Sequence, residues 1–135
     1  PMRHLLSLIF LVWLALPAAA ADEVTKDMAD GYEAYDGGDY ATALAAWGRA
    51  AARGNTDAMT AIADLHLRGH GARLDAAAAV SWYRRAAERG DAVAQLNLGD
   101  LLSQGIGAPK DVVAAHMWLS LAAAQGRRRR AVWPR

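Results

Sequence analysis

Over the second half of the chain, apolar residues recur at helical spacing and stop at glycines. Ala94, Leu98, Leu101 and Leu102 fall at i, i+4, i+7 and i+8, which is one face of a helix. The spacing predicts a helix over 92–104. Gly105 and Gly107 end it, because glycine accepts the positive φ of a tight exit, and Pro109 confirms the break. Asp111 stands where a carboxylate can accept from the free N–H groups of a following helix. That helix is predicted over 112–125, with Ala115, Trp118, Leu119 and Ala122 on its buried side and Gly126 as its stop. The segment before has the same layout: helices over 56–68 and 76–89, Gly69, Gly71 and Asp75 between them, and Gly54 and Gly90 at the outer ends. An earlier pair is predicted over 24–36 and 40–53.

These segments are copies of one another. A shift of 36 residues, as from Gly54 to Gly90 to Gly126, aligns Asp39 with Asp75 and Asp111, Ala43 with Ala79 and Ala115, and Ala50 with Ala86 and Ala122. The same shift aligns Ala58 with Ala94, Ile62 with Leu98, Trp82 with Trp118, and Trp47 with Tyr83. A two-helix unit cannot bury its own apolar face and must stack on neighbours. Small residues at Ala58, Ala63, Ala94 and Gly99 let backbones approach, and Trp47, Trp82, Tyr83 and Trp118 are expected to fill the space between units. The expected fold is all-α: a right-handed α/α superhelix, a short solenoid of about three helix-turn-helix repeats with units at about 22–54, 55–90 and 91–126.

The stretches "AIADLHLRGHGARLDAAAAVSWYRRAAERG" and "AQLNLGDLLSQGIGAPKDVVAAHMWLSLAAAQG" closely resemble Sel-one-like repeats, relatives of tetratricopeptide repeats. The third unit carries the family's residues at Leu98, Gly99, Gly105, Gly107, Asp111, Ala115, Trp118, Ala122, Ala123 and Gly126. The second departs at Ala63, where the family usually has Gly, and at His66, where it usually has Tyr. The segment 30–55 looks like the degenerate first unit of bacterial secreted members. The resemblance implies a scaffold for another protein or peptide, with the first helix of each pair lining a concave face. Opposite the core stripe of those helices stand Ala61, Asp64 and Arg68, and their mates Asn97, Asp100 and Gln104. Their i, i+3, i+7 spacing puts each trio on one face, and these six are the expected binding residues.

The two ends differ from the body. Met2–Arg3–His4, the apolar run Leu5–Pro17 and the small residues of Ala18–Asp22 read as a secretory signal peptide over residues 1–21, cleaved after Ala20 or Ala21. The expected location is periplasmic or secreted. The chain has no cysteine, so disulfides, Cys-ligated zinc and a thiol nucleophile are excluded. The overall charge of +1 hides a split. From Asp22 to Gln125 there are 9 Lys and Arg against 14 Asp and Glu, and from Gly126 onward five Arg and no acid. An acidic body does not suggest nucleic-acid binding, and no membrane contact is expected of the mature form. The basic segment 127–135, with Arg127–Arg130, replaces the acidic, Ala-rich closing helix that the family resemblance implies. It reads as a truncated or frame-shifted end, with a true basic tail as the alternative. An uncapped last unit is expected to self-associate or to dock a partner.

Candidate chemistry is sparse. His66 and His70 have the i, i+4 spacing of zinc ligands on a helix, but Gly69 ends the helix between them. A packed His66, a solvated His70 and no metal site are expected. Asp64 and Asp100 are repeat mates that would lie on one surface, without a feature that would raise one pKa for acid/base work. Gly105-Ile106-Gly107 is a turn rather than a phosphate loop. No catalytic residue and no cofactor are expected. A cell-wall or β-lactam hydrolase, by analogy to cysteine-rich family members, is the alternative, although the sequence lacks both Cys and a Ser-x-x-Lys motif.

Overall fold

The computed structural model describes the backbone of Met2–Val132 and the side chains of residues 18–126. Its six helices are α1 (Met2–Asp36), α2 (Tyr40–Ala52), α3 (Thr56–Arg68), α4 (Ala76–Glu88), α5 (Ala92–Gln104) and α6 (Val112–Val132). No strand occurs among the described residues.

Local signals set the boundaries. Asp39, Asn55, Asp75, Asp91 and Asp111 each accept from the backbone N–H three residues on, at 3.1, 2.8, 3.0, 2.9 and 2.9 Å. Each such cap satisfies a donor that the first turn leaves open and contributes about 1 kcal/mol. Gly69 and Gly105 close α3 and α5 in the left-handed conformation, both with φ +69°.

The main packing runs between chain neighbours, α1 on α2 through to α5 on α6, as expected of a one-dimensional array. Alanine makes the array tight: Ala43, Ala50, Ala58, Ala63, Ala79, Ala86 and Ala94 are fully buried. The bulk comes from Met59, Ile62, Leu65, Tyr83 and Leu98. Gly99 acts in the same way, since a Cβ there would lie 2.7 Å from Leu119 Cγ. Successive pairs are joined through their internal loops. Gly107 sits on Ala76, the first residue of α4, and Gly71 sits on Tyr40, the first residue of α2; a Cβ at either would collide with the neighbour's backbone.

The first pair differs from the others. Its internal loop is 37–39, against 69–75 and 105–111, four residues shorter. α1 is therefore offset from α3 by 32 residues rather than 36. In this register Gly31 matches Ala63 and Gly99, and Gly31 seats the Trp47 ring as Gly99 seats Leu119. Asp27, 7 % exposed, ties the helices together, taking Arg49 at 2.9 Å and Arg53 at 3.7 Å. Lys26, Asp30 and Glu33 take the places of the buried Ala58, Ile62 and Leu65, so the outer face of α1 is polar.

Several expectations need correction. α1 begins at Met2 and not at the expected residue 24. The side chains of the apolar run ahead of it, and of Arg127–Arg130, lie outside the described residues. Among the described residues no helix is long and apolar enough to cross a membrane. Gly126 does not stop α6, which continues to Val132 without a positive φ at that glycine. Gly54 and Gly90 stop their helices because an Asn or Asp follows at once to cap the next one, whereas Arg127 follows Gly126.

Trp82 is only half-buried, with the Arg85 guanidinium 4.3 Å over its ring; the core aromatic of α4 is Tyr83. Trp118 is buried as expected, but Leu119 and Ala122 are half-covered, since among the described residues α6 packs chiefly on α5. Both histidines are half-buried, so His70 is not solvated. His70 stacks on Tyr40, with centroids 4.7 Å apart and its Nδ1 buried, whereas the half-buried His66 places Nδ1 3.4 Å from the Arg73 carbonyl oxygen. His116 is exposed.

Candidate functional site

A groove of about 370 Å³ opens between the first two helix pairs. α1 contributes Tyr32, Tyr35 and Asp36 to its walls, α2 contributes Trp47, and α3 contributes Asp57, Thr60, Ala61, Asp64, Leu65 and Arg68. The α3 set follows from helical spacing: Asp57, Ala61, Asp64 and Arg68 fall at i, i+4, i+7 and i+11 along one face. The α1 set follows from the shortened loop, which brings Tyr32 and Asp36 to the places that Asp64 and Arg68 hold in the next pair.

One wall is aromatic. Tyr32 meets Trp47 edge-on at 5.4 Å, and Tyr35 lies 5.8 Å from Trp47 and 5.3 Å from Tyr40. Centroid distances in this range are favourable for aromatic pairs, so the wall is mutually braced. Trp47 is 3 % exposed, and its indole Nε1 is buried with no hydrogen-bond partner among the described residues. The groove's charge comes from Asp36, Asp57 and Asp64 against Arg68, three carboxylates to one guanidinium.

The Asp64 carboxylate is already engaged. Its Oδ1 accepts from the hydroxyl of Tyr83, which is 1 % exposed. Burial, and then the adjacent Asp64 carboxylate, push the Tyr83 phenol well above its ordinary range, an effect that Asn97 nearby partly offsets. The hydroxyl ties α4 to α3, with α5 close by, and the arrangement serves positioning.

Of the six expected binding residues, the structure places Ala61, Asp64 and Arg68 in the groove. Asn97 is at the Tyr83 hydroxyl, next to Asp64. Asp100 and Gln104 are exposed on α5 and do not line the groove; Gln104 Nε2 donates to the Asp100 backbone carbonyl at 3.3 Å. Asp100 has no counterpart of Asp64's arrangement, since the repeat mate of Tyr83 is Leu119. The ungapped repeat missed Tyr32, Tyr35 and Asp36. The signal that finds them is the spacing from the small residue to its large partner: 16 residues from Gly31 to Trp47, but 20 from Ala63 to Tyr83 and from Gly99 to Leu119. Among the described residues no group of three or more His, Asp or Glu could hold a metal ion.

The sequence profile of the Sel1 repeat matches residues 56–91 and 92–126, more than half of the chain. A protective antigen of uropathogenic Escherichia coli strains that displays an SLR fold is 31 % identical, with a TM-score of 0.68 over 83 % of this chain and 24 % of its own. A Sel1 repeat protein from Oxalobacter formigenes is 33 % identical, with a TM-score of 0.73 over 80 % of this chain and 45 % of its own. The chain therefore spans less than half the length of either structure. No match is found among curated proteins. The helix pairs stack as in those solenoids, and the repeat residues quoted above carry the profile match: the chain belongs to the Sel1 repeat family.

Proposed function

We propose that the chain is an exported repeat scaffold that holds a segment of another protein along the face formed by the first helices of its pairs, with no chemistry of its own. The groove between the first two pairs carries this reading. It is large enough for a few side chains and lined by residues of three helices that the stacking holds rigid. Family membership supports it, since Sel1 repeats serve as interaction scaffolds. Export is supported by the basic start, apolar run and small residues of the first 21 residues, and periplasmic or secreted delivery follows from that pattern. Self-association is a second property, favoured by the apolar end of the array. There Val93 and Leu96 are 58 % and 48 % exposed around a cavity of about 520 Å³ that Leu119 and Ala122 also line.

The test is a cross-linking pull-down from periplasm with wild type and Ala61→Trp. Ala61 lines the groove and is half-buried, so an indole there fills the space without entering the core. A partner captured by wild type and lost with the folded variant is the expected result. Equal capture by both overturns the groove as the binding site.

A further inference from the structure

We infer that the segment held in this groove is basic, with an arginine of the partner protein laid against Tyr32 and between the carboxylates of Asp36 and Asp57. The inference rests on the groove being the binding site and adds the chemistry of what enters it. Two observations point the same way.

The walls carry three carboxylates against the single guanidinium of Arg68. Asp64 is held by Tyr83, whereas Asp36 and Asp57 are exposed and form no ion pair among the described residues. An acidic segment would meet like charge from both pairs, and a neutral one would leave these carboxylates unmatched at the rim.

Tyr32 is 51 % exposed and braced edge-on by Trp47, which leaves ring surface open beside Asp36. A guanidinium is planar, stacks on aromatic faces and donates in a fork that suits carboxylates, so arginine fits this combination better than lysine.

The experiment uses the full chain and three fluorescein-labelled peptides of glycine and serine. One carries three arginines, one has citrulline in their place, and one has glutamate. Citrulline keeps the shape and most donors of arginine but not the charge. In fluorescence anisotropy the arginine peptide binds, the citrulline peptide binds about tenfold more weakly, and the glutamate peptide does not bind. Binding of the arginine peptide weakens as ionic strength rises.

The double variant D36N/D57N, at two exposed positions that leave the core untouched, weakens the arginine peptide about tenfold, and the Trp47 indole N–H resonance shifts on binding in wild type. Equal affinity for arginine and citrulline, or no change in D36N/D57N, overturns the inference. So does binding confined to a peptide of the chain's own segment 124–135, which would make the groove a site of self-recognition. The two readings fail separately. If Ala61→Trp abolishes partner capture and D36N/D57N does not affect it, the groove stands and the basic segment falls. If Ala61→Trp leaves capture intact, the groove itself falls.

Discussion

Replacing Gly107 with alanine tests how the helix pairs are joined. Gly107 has φ +75°, and a Cβ built there would lie 2.6 Å from the Ala76 carbonyl carbon and 2.8 Å from Val80 Cγ2. Two penalties follow. A side chain in the left-handed region costs about 1–2 kcal/mol. The collision adds about 1–3 kcal/mol, the usual range for overpacking, because the atom in the way belongs to the first turn of α4 and cannot swing aside as a side chain would. The expected loss is therefore about 2–5 kcal/mol, a large part of the 5–15 kcal/mol typical of a domain.

Gly90→Ala supplies the control. Its φ is +90°, but nothing lies within 4 Å of its Cβ position, so it carries the backbone penalty alone, about 1–2 kcal/mol. The difference between the two variants measures the contact between pairs. Urea denaturation followed by far-UV circular dichroism gives both values, and similar m-values license the comparison. Gly71→Ala, which meets Tyr40 in the equivalent joint, should resemble Gly107→Ala. If Gly107→Ala and Gly90→Ala have the same midpoint, the loops do not seat tightly on the preceding pair and the account of the joint is wrong.

Two further outcomes are expected. Burial and Asp64 raise the Tyr83 pKa above its ordinary 10.0, so above that pH the unfolded chain releases a proton that the folded chain keeps. The stabilisation is complete below the ordinary value and is lost as pH rises toward the folded one; Tyr83→Phe should flatten this alkaline fall, and identical slopes in the two proteins would refute the Tyr83–Asp64 assignment. At the apolar end, Leu96→Glu should abolish concentration-dependent association in analytical ultracentrifugation, and a wild type that remains monomeric throughout the concentration series refutes self-association.

Most helix boundaries of the second and third pairs were legible because their signals are local. A glycine ends one helix, an Asn or Asp caps the next, and each needs only its immediate neighbours to act. Gly126 shows the limit of that logic. It stands at the repeat position of Gly54 and Gly90, but those two work as the first half of a Gly-Asn or Gly-Asp pair, and the second half is missing here. Trp82 shows another. Tyr83 fills the core place that Trp47 holds in the first pair, and one step along a helix turns a side chain by about 100°, which leaves Trp82 at the edge under Arg85. The α1 wall of the groove was hidden for a third reason. A constant shift of 36 residues pairs Asp64 with Met28, whereas the short loop 37–39 makes Tyr32 its mate.

In that register the residues of the two joints correspond position by position, and the difference between them accounts for the groove at the first. At the joint of the second and third pairs, the Tyr83 hydroxyl donates to Asp64, with Asn97 nearby. At the joint of the first and second, the same three positions hold Tyr32, Trp47 and Ala61. Alanine carries no polar group to this place, and the Trp47 indole lies over Gly31 with its N–H unpartnered among the described residues, where the Tyr83 hydroxyl finds Asp64. The polar link that fills the second joint is therefore absent from the first, and the groove is what remains. Ala61 and Tyr32 are the residues that make it an open groove rather than core, because one leaves the space empty and the other puts an aromatic ring at its edge.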